Sequence, residues 1–363
     1  MRRRLPDVLI VALLFALPLI LFWQQTLGGR TLLPVENLFQ YEPYAAYREV
    51  AQAPEVPHNA LVSDLILQNF QWKSFIRDSL AQGEIPLWNP HLFAGVPFMA
   101  SGQQSTLYPF SVLYYVLPLA SAYGWFTVVQ LWLAGVFMVA FLRGLGVGRA
   151  GATLGGIVYQ LSAFFVISAV FPMIIGAAVW LPLILLMIEN IIRQRPALRD
   201  RAATVPWAAT GAIALGCNIL AGHVEITYYT LIIAAYYAAV RLLQEWLRRS
   251  DAEVQVVWRH LAARASWLAG MVAIGIGLGA IQFLPLFELA SVNFRSGSAS
   301  FEQVLGWAHP FRDVIQFALP NFYGNPSHHA YLDVFSGQIV PVTVNAAGNS
   351  ITHTDWGIKN YVE

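Results

Sequence analysis

Residues 121–142 read SAYGWFTVVQLWLAGVFMVAFL, an unbroken stretch without one charged side chain. A bilayer core about 30 Å thick needs roughly 20 mostly apolar residues in one helix, so this run is long enough to cross it. Arg143 follows at once, and a cation at the end of such a run marks the water boundary. Six more runs of the same character lie at about 8–27, 152–171, 173–192, 204–221, 225–243 and 266–287. A transmembrane barrel would show alternating segments of about ten residues instead. The expected fold class is therefore an all-α polytopic membrane protein with about seven transmembrane helices.

Composition agrees with that class. Of 363 residues, 57% are apolar and 11% are charged, against about 25% charged in soluble domains. High apolar and aromatic content with a net charge of only +1 excludes a disordered chain. The absence of a basic excess argues against a nucleic-acid partner. A single cysteine, Cys217, leaves no intramolecular disulfide to form.

Basic residues set the expected orientation. With the N-terminus in the cytoplasm, Arg2, Arg3 and Arg4 fall inside, as do Arg143 and Arg149, then Arg193, Arg195, Arg199 and Arg201. The last inside group is Arg241, Arg248, Arg249, Arg259 and Arg264, which brings 14 of the 21 basic residues to one side. The other seven are spread over longer external segments, so every span alternates as the positive-inside rule requires. The first run shares its basic start and apolar core with signal peptides. Its length and the lack of a small-x-small cleavage site favour a retained helix. This reading divides the chain into a transmembrane domain, 1–287, that includes an external loop at 28–106, and an external segment, 288–363.

Loops of that length are usually functional. The first is rich in Pro, Trp, Tyr and Asn and is expected to fold. Asp64 to Leu80 reads as an amphipathic helix with Leu65, Phe70, Trp72, Ile76 and Leu80 on its apolar positions, Ser63 as N-cap and Gly83 as its stop. Trp and Phe beside Lys73 and Arg77 suit a helix lying in the membrane interface. Prolines at Pro86 and Pro90 prevent its continuation. Within the spans, Gly151 with Gly155 and Gly275 with Gly279 are small-xxx-small pairs suited to close helix packing. No glycine cluster matches a dinucleotide or P-loop cradle.

Carboxylates and histidines collect on the expected external side, where only His260 among the histidines is missing. Asp64, at the start of the interfacial helix, is favoured in its ionised form by the helix dipole and could act as a general base toward a hydroxyl. The plain alternative is a first-turn acid. Glu36 lies shortly after the first span with Asn37 and Gln40 beside it; the alternative there is a solvated loop acid. His223 and Glu225 sit at the turn between the fifth and sixth spans, where ionisable groups at a membrane-embedded turn are functional candidates. They could orient a phosphate, hold part of a metal site or bond one another, but two ligands are too few to define a metal site. Arg295, just after the last span, could hold a phosphate or anchor the helix end. The pair His328 and His329 is expected to be solvated, and Glu189 to pair or snorkel near the cytoplasmic end of the fourth span.

The first loop carries a fuller pattern. It reads Ser63-Asp64-Leu65, Trp72, Gly83-Glu84-Ile85-Pro86-Leu87-Trp88-Asn89-Pro90, Phe93-Ala94-Gly95-Val96-Pro97-Phe98, Gln103-Gln104-Ser105 and Tyr108-Pro109. Together with Gly222-His223-Val224-Glu225, Leu319-Pro320-Asn321-Phe322-Tyr323-Gly324 and Trp356-Gly357, this resembles the YfhO-type bacterial membrane proteins. That group is placed with the GT-C glycosyltransferases. The resemblance implies a GT-C-like fold with a long, partly helical first external loop, in the bacterial cytoplasmic membrane. It implies transfer of a sugar from a polyprenyl-phosphate-linked donor to an envelope glycan or polymer acceptor, with membrane lipids as surroundings. The essential loop acid of GT-C enzymes maps onto Asp64 first and Glu36 second. Lys73, Arg77, His223 and Arg295 are then phosphate-side candidates. Trp88, with Asn89, Gln104 and Glu225, completes the substrate-binding set. No cofactor is implied beyond the option of a divalent metal. Chains of this type usually continue past the stretch from Trp356-Gly357 to Glu363, so the resemblance also implies a truncated member and puts the activity of the fragment in doubt. The alternatives are a non-catalytic membrane subunit and a lipid or polysaccharide transport protein, although transporters usually carry ionisable residues at mid-membrane.

Overall fold

The computed structural model describes residues 5–54, 62–194, 204–248, 254–292, 300–306, 311, 314–315, 318–319, 330–333 and 338–341. By contacts the chain forms two units, one of Met1–Leu33 with Phe70–Val292 and one of Pro34–Asn69 with Asn293–Glu363.

The first unit is helical. Its elements are α1 (Leu5–Leu21), α2 (Trp23–Thr26), α3 (Phe70–Ala81), α4 (Val112–Val116), α5 (Leu119–Gly144), α6 (Arg149–Gln160), α7 (Ala163–Ile167), α8 (Pro172–Ala178), α9 (Leu181–Ile192), α10 (Thr204–Leu220), α11 (Val224–Leu247) and α12 (Val254–Ser291). A two-residue hairpin of β1 (Trp88–Asn89) and β2 (Val96–Pro97) lies between α3 and α4.

Among the described residues, five helical segments are long and apolar enough to cross a membrane: Leu119–Gly144, Arg149–Val170, Pro172–Ile192, Val224–Leu247 and Val256–Ser291. The other two expected spans fall on shorter apolar helices, Leu5–Leu21 and Thr204–Leu220. The protein is thus a multi-pass helical membrane protein. Two of the five segments are broken. α6 ends at Gln160 and α7 restarts after Ser162, while α8 gives way to α9 at Val179–Trp180. Pro172 and Pro182 stand in the first turns of α8 and α9, where a missing N–H costs nothing.

Packing follows the small residues. α10 runs along α12, and a side chain on Gly275 or Gly279 would run into Leu215 or Ile219. The Gly275 and Gly279 pair is therefore a packing seam, as expected. Gly155 lies under Leu142 of α5, whereas Gly151 meets only Val147. α1 lies against α5, with Trp132 Nε1 donating to the Val11 carbonyl at 3.2 Å and its ring edge-on to Phe15 at 5.7 Å.

At the centre, α9 touches α5, α10 and α11. Its Glu189 side chain is fully buried and pairs with Arg193 and with Arg241 of α11, whose Nε and Nη2 lie 2.8 Å from the two carboxylate oxygens. Tyr237 donates to Oε2 at 2.9 Å. The expected pairing of Glu189 is present, and it ties two helices together.

In the second unit, two 3₁₀ turns, Val35–Gln40 and Tyr44–Tyr47, pack on each other, and Arg48 caps the Phe39 carbonyl at 2.7 Å. This unit also contains α13 (Phe301–Gly306) and an antiparallel hairpin of β3 (Ala330–Asp333) and β4 (Gln338–Pro341). The single amphipathic helix expected over Asp64–Leu80 is divided: Leu65–Asn69 winds as a π-helix and Phe70–Ala81 as an α-helix. Buried Leu65, Ile66 and Asn69 replace the smooth 3.6-residue stripe, and a π turn accommodates that different burial.

Candidate functional site

The first unit holds a cavity of about 620 Å³ beside α3, within the roughly 300–1,000 Å³ range of small-molecule sites. One wall is a single helix face. Phe75, Asp78, Ser79 and Gln82 line it, and their spacing of three, one and three places them on one side of α3. The opposite wall is the loop that leaves the helix, which contributes Glu84, Ile85, Trp88 and His91.

Local sequence explains why that loop turns back. α3 ends in a Schellman motif: Glu84 N donates to Ser79 O at 2.9 Å, Gly83 N donates to Leu80 O at 3.0 Å, and Gly83 has φ +77°. That left-handed position favours glycine. Asn89 is buried, and its Oδ1 accepts from His91 N at 2.9 Å, which fixes the turn after β1. Trp88 pairs with Pro97 across the hairpin, and the Nε1–Cε2–Cζ2 edge of its indole lies so close to Gly95 that a Cβ there would overlap it. That edge of the ring is thereby held while the residue stays 54% exposed. Phe75 meets His91 edge-on at 5.8 Å and Phe98 at 4.9 Å.

The segment after the hairpin is bolted to the bundle. Lys73 of α3 is 1% exposed. Its Nζ donates to Gln104 O at 2.6 Å and sits 4.6 Å from the centre of the Tyr114 ring. Burial pushes the amine down to about 7, and drives the Tyr114 phenol well above its ordinary value. The Gln104 side chain donates to Met99 O at 2.9 Å, and Gln282 of α12 donates to the same carbonyl at 2.7 Å. Ser105 Oγ donates to Ala221 O at 2.6 Å. Gly222, at φ +86°, lies so close to Gly102 that a Cβ would strike its carbonyl. Arg77 donates to Leu117 O at 3.0 Å.

The candidate residues thus divide. Trp88 lines the cavity. Asn89 and Gln104 are buried and shape the loop. Lys73 and Arg77 both reach backbone carbonyls. His223 caps α11, its Nδ1 accepting from Ile226 N at 3.3 Å; burial lowers its pKa, and Glu225 opposes the shift. Glu225 itself is exposed. In the second unit, Glu36 and Asp64 are both exposed. Gln68 Nε2 donates to Asp64 Oδ1 at 3.3 Å, and Asn37 Nδ2 donates to the Ser63 hydroxyl at 2.9 Å. Arg295, His328 and His329 lie outside the described residues. Among the described residues no three His, Cys, Asp or Glu side chains gather as a metal site would require.

Sequence reasoning missed Phe75, Asp78, Glu84 and His91 as wall residues. A signal was present: positions 75, 78, 79 and 82 share a helix face, and the stop at Gly83 returns the chain toward it. The expectation placed weight on Asp64 and on cations, and so passed over this second face.

No curated protein sequence and no solved structure matches the chain. A family model described as Bacterial membrane protein YfhO matches residues 44–312. That match takes in the cavity, the loop segment bolted to the bundle and all five long apolar segments. A chain with this helical membrane architecture and so extensive a match belongs to the YfhO family of bacterial membrane proteins.

Proposed function

We propose that the protein is a GT-C-type glycosyltransferase that moves a sugar from a polyprenyl-phosphate carrier to a cell-envelope acceptor. The reading places seven spans in the bacterial cytoplasmic membrane, with the N-terminus in the cytoplasm and the first long loop outside. The observation that carries it is the cavity between α3 and the Glu84–His91 loop, whose wall mixes two carboxylates, the Gln82 amide and the rings of Phe75, Trp88 and His91. Such a mixture suits a carbohydrate, which offers both hydroxyl groups and an apolar ring face. Family membership and the apolar helices support a membrane-bound setting for that chemistry.

In the proposed reaction, the acceptor hydroxyl oxygen bonds to the anomeric carbon as the bond from that carbon to the phosphate oxygen breaks. The hydroxyl proton passes to a carboxylate, and the polyprenyl phosphate departs with the bonding electrons. The phosphate leaving group needs no dedicated acid, unlike the paired-carboxylate chemistry of glycosidases. Asp64 is proposed as the base, with Glu36 as the second candidate; both are exposed carboxylates. Arg77, His223 and Arg295 are proposed for the phosphate side. Lys73, enclosed on Gln104 and Tyr114, holds the loop.

The test is transfer of label from a radiolabelled polyprenyl-phosphate sugar to envelope glycan by the purified chain in liposomes. Asp64→Asn should lower turnover by about 10²- to 10⁴-fold, the usual range for a general base. Unchanged turnover in that variant would remove Asp64 from the reaction. No transfer across a panel of donors would remove the transferase reading.

A further inference from the structure

We infer that the cavity beside α3 is an acceptor-side saccharide subsite selective for neutral or amino sugars, and that it does not take the donor phosphate. The inference rests on the transferase reading for its biological role, but its ligand chemistry follows from the wall itself.

Charge decides the class. Asp78 and Glu84 bring two carboxylates to the wall, and among the described residues no Lys or Arg lines it. The cations nearest in sequence are engaged elsewhere: Lys73 donates to Gln104 O and Arg77 to Leu117 O. His91 also lines the wall, where its backbone N–H donates to Asn89 and its ring meets Phe75 edge-on. A phosphate or a uronic acid would therefore meet two like charges without a fixed counter-charge. Sugar hydroxyls can donate to these carboxylates, and an ammonium on a hexosamine can pair with either.

The aromatic group decides the shape. Trp88 is held against Gly95 by the β1–β2 pairing and remains open on the cavity. An indole held along one edge is a platform for the C–H face of a pyranose. Aromatic rings of this kind supply contact area at little cost in side-chain ordering. Ser79 on α3 and Gln82 just past its end add hydrogen-bond donors and acceptors.

Calorimetric titration of the full chain in lipid nanodiscs would test this with three probes: chitotriose, the glucosamine trimer, and trigalacturonate. Chitotriose and the glucosamine trimer should bind, and trigalacturonate should bind about tenfold more weakly or less, from like-charge repulsion near two carboxylates in a water-accessible site. Trp88→Ala should weaken chitotriose at least tenfold, whereas Trp88→Phe, which keeps a ring, should recover most of the affinity. Asp78→Asn with Glu84→Gln should erase the discrimination against trigalacturonate while keeping chitotriose. Strongest binding of trigalacturonate, no binding of any probe, or indifference to Trp88→Ala would overturn the inference. The two readings fail separately. Saccharide binding without label transfer removes the transferase alone, and label transfer with an acceptor KM unchanged in Trp88→Ala removes the subsite alone.

Discussion

Replacing Lys73 with methionine should change how stability depends on pH, with a sign fixed by the structure. The amine is enclosed, with the Gln104 carbonyl and the Tyr114 ring as its neighbours, and burial holds its pKa at about 7 instead of 10.5. Between those two values the unfolded chain binds more protons at this site than the folded chain. Stability therefore rises with pH through that window and is lowest below pH 7, where both states are protonated. Over the full window the effect is about 5 kcal/mol, from 3.5 pH units at about 1.4 kcal/mol each. Between pH 7 and pH 9 it amounts to about 2 kcal/mol, because half the folded molecules are already neutral at the start. Lys73→Met keeps a long unbranched side chain but leaves the Gln104 carbonyl without this donor, at a pH-independent cost of about 1–3 kcal/mol. The assay is equilibrium unfolding in mixed micelles at pH 7 and pH 9 for both proteins. Other titrating groups are common to both, so the double difference isolates Lys73. A wild-type gain exceeding that of the variant by about 2 kcal/mol is expected. Equal gains would show that the amine is solvated in the folded state and would refute the enclosed geometry.

Two further outcomes follow from the bundle. Glu189→Gln should destabilise the protein by about 3–5 kcal/mol, because Arg241 and Arg193 lose the buried carboxylate they share; Tyr237→Phe, which removes one bond to that carboxylate, should cost less. Thermal melting of both variants checks this, and a Glu189→Gln protein that melts like the wild type would dismiss the clamp. Gly222→Ala should cost about 1–2 kcal/mol for its left-handed backbone and more for the overlap with Gly102. Faster proteolysis in the Met99–Ser105 segment is the expected signature, and wild-type resistance would count against that contact.

Long apolar runs were legible because membrane insertion is a property of one segment at a time: about twenty apolar residues suffice wherever they pack. Residues 121–142 accordingly fall within Leu119–Gly144. Breaks within runs were less legible. The interruption at Leu161–Ser162 and the one at Val179–Trp180 occur inside stretches that remain apolar throughout, so hydropathy passes over them. The Gly275 and Gly279 seam could be read because small residues at that spacing have one common use. Asp64–Leu80 was read as one helix since its apolar positions fit a 3.6-residue period loosely; the π turn at Leu65–Asn69 depends on what those residues are buried against. The cavity beside α3 was harder still. It needs a helix face and a returning loop at once, and only the Gly83 stop hints at the return.

The sequence by itself determined the membrane class, the presence of several long apolar runs and the uneven distribution of charge, because hydrophobicity and charge act locally and need no partner. It also carried the motif pattern that places the chain in its family. The fate of individual polar groups was decided by tertiary structure. Lys73 looked like an interfacial cation and is enclosed on a carbonyl; Glu189 looked like a helix-end acid and joins two helices. Asp78 and Glu84 looked like two more acids of the external loop and line a cavity with Trp88. The physical reason is the same in each case: the charge of a side chain is written in the chain, but its solvent and its partners are supplied by whatever folds against it.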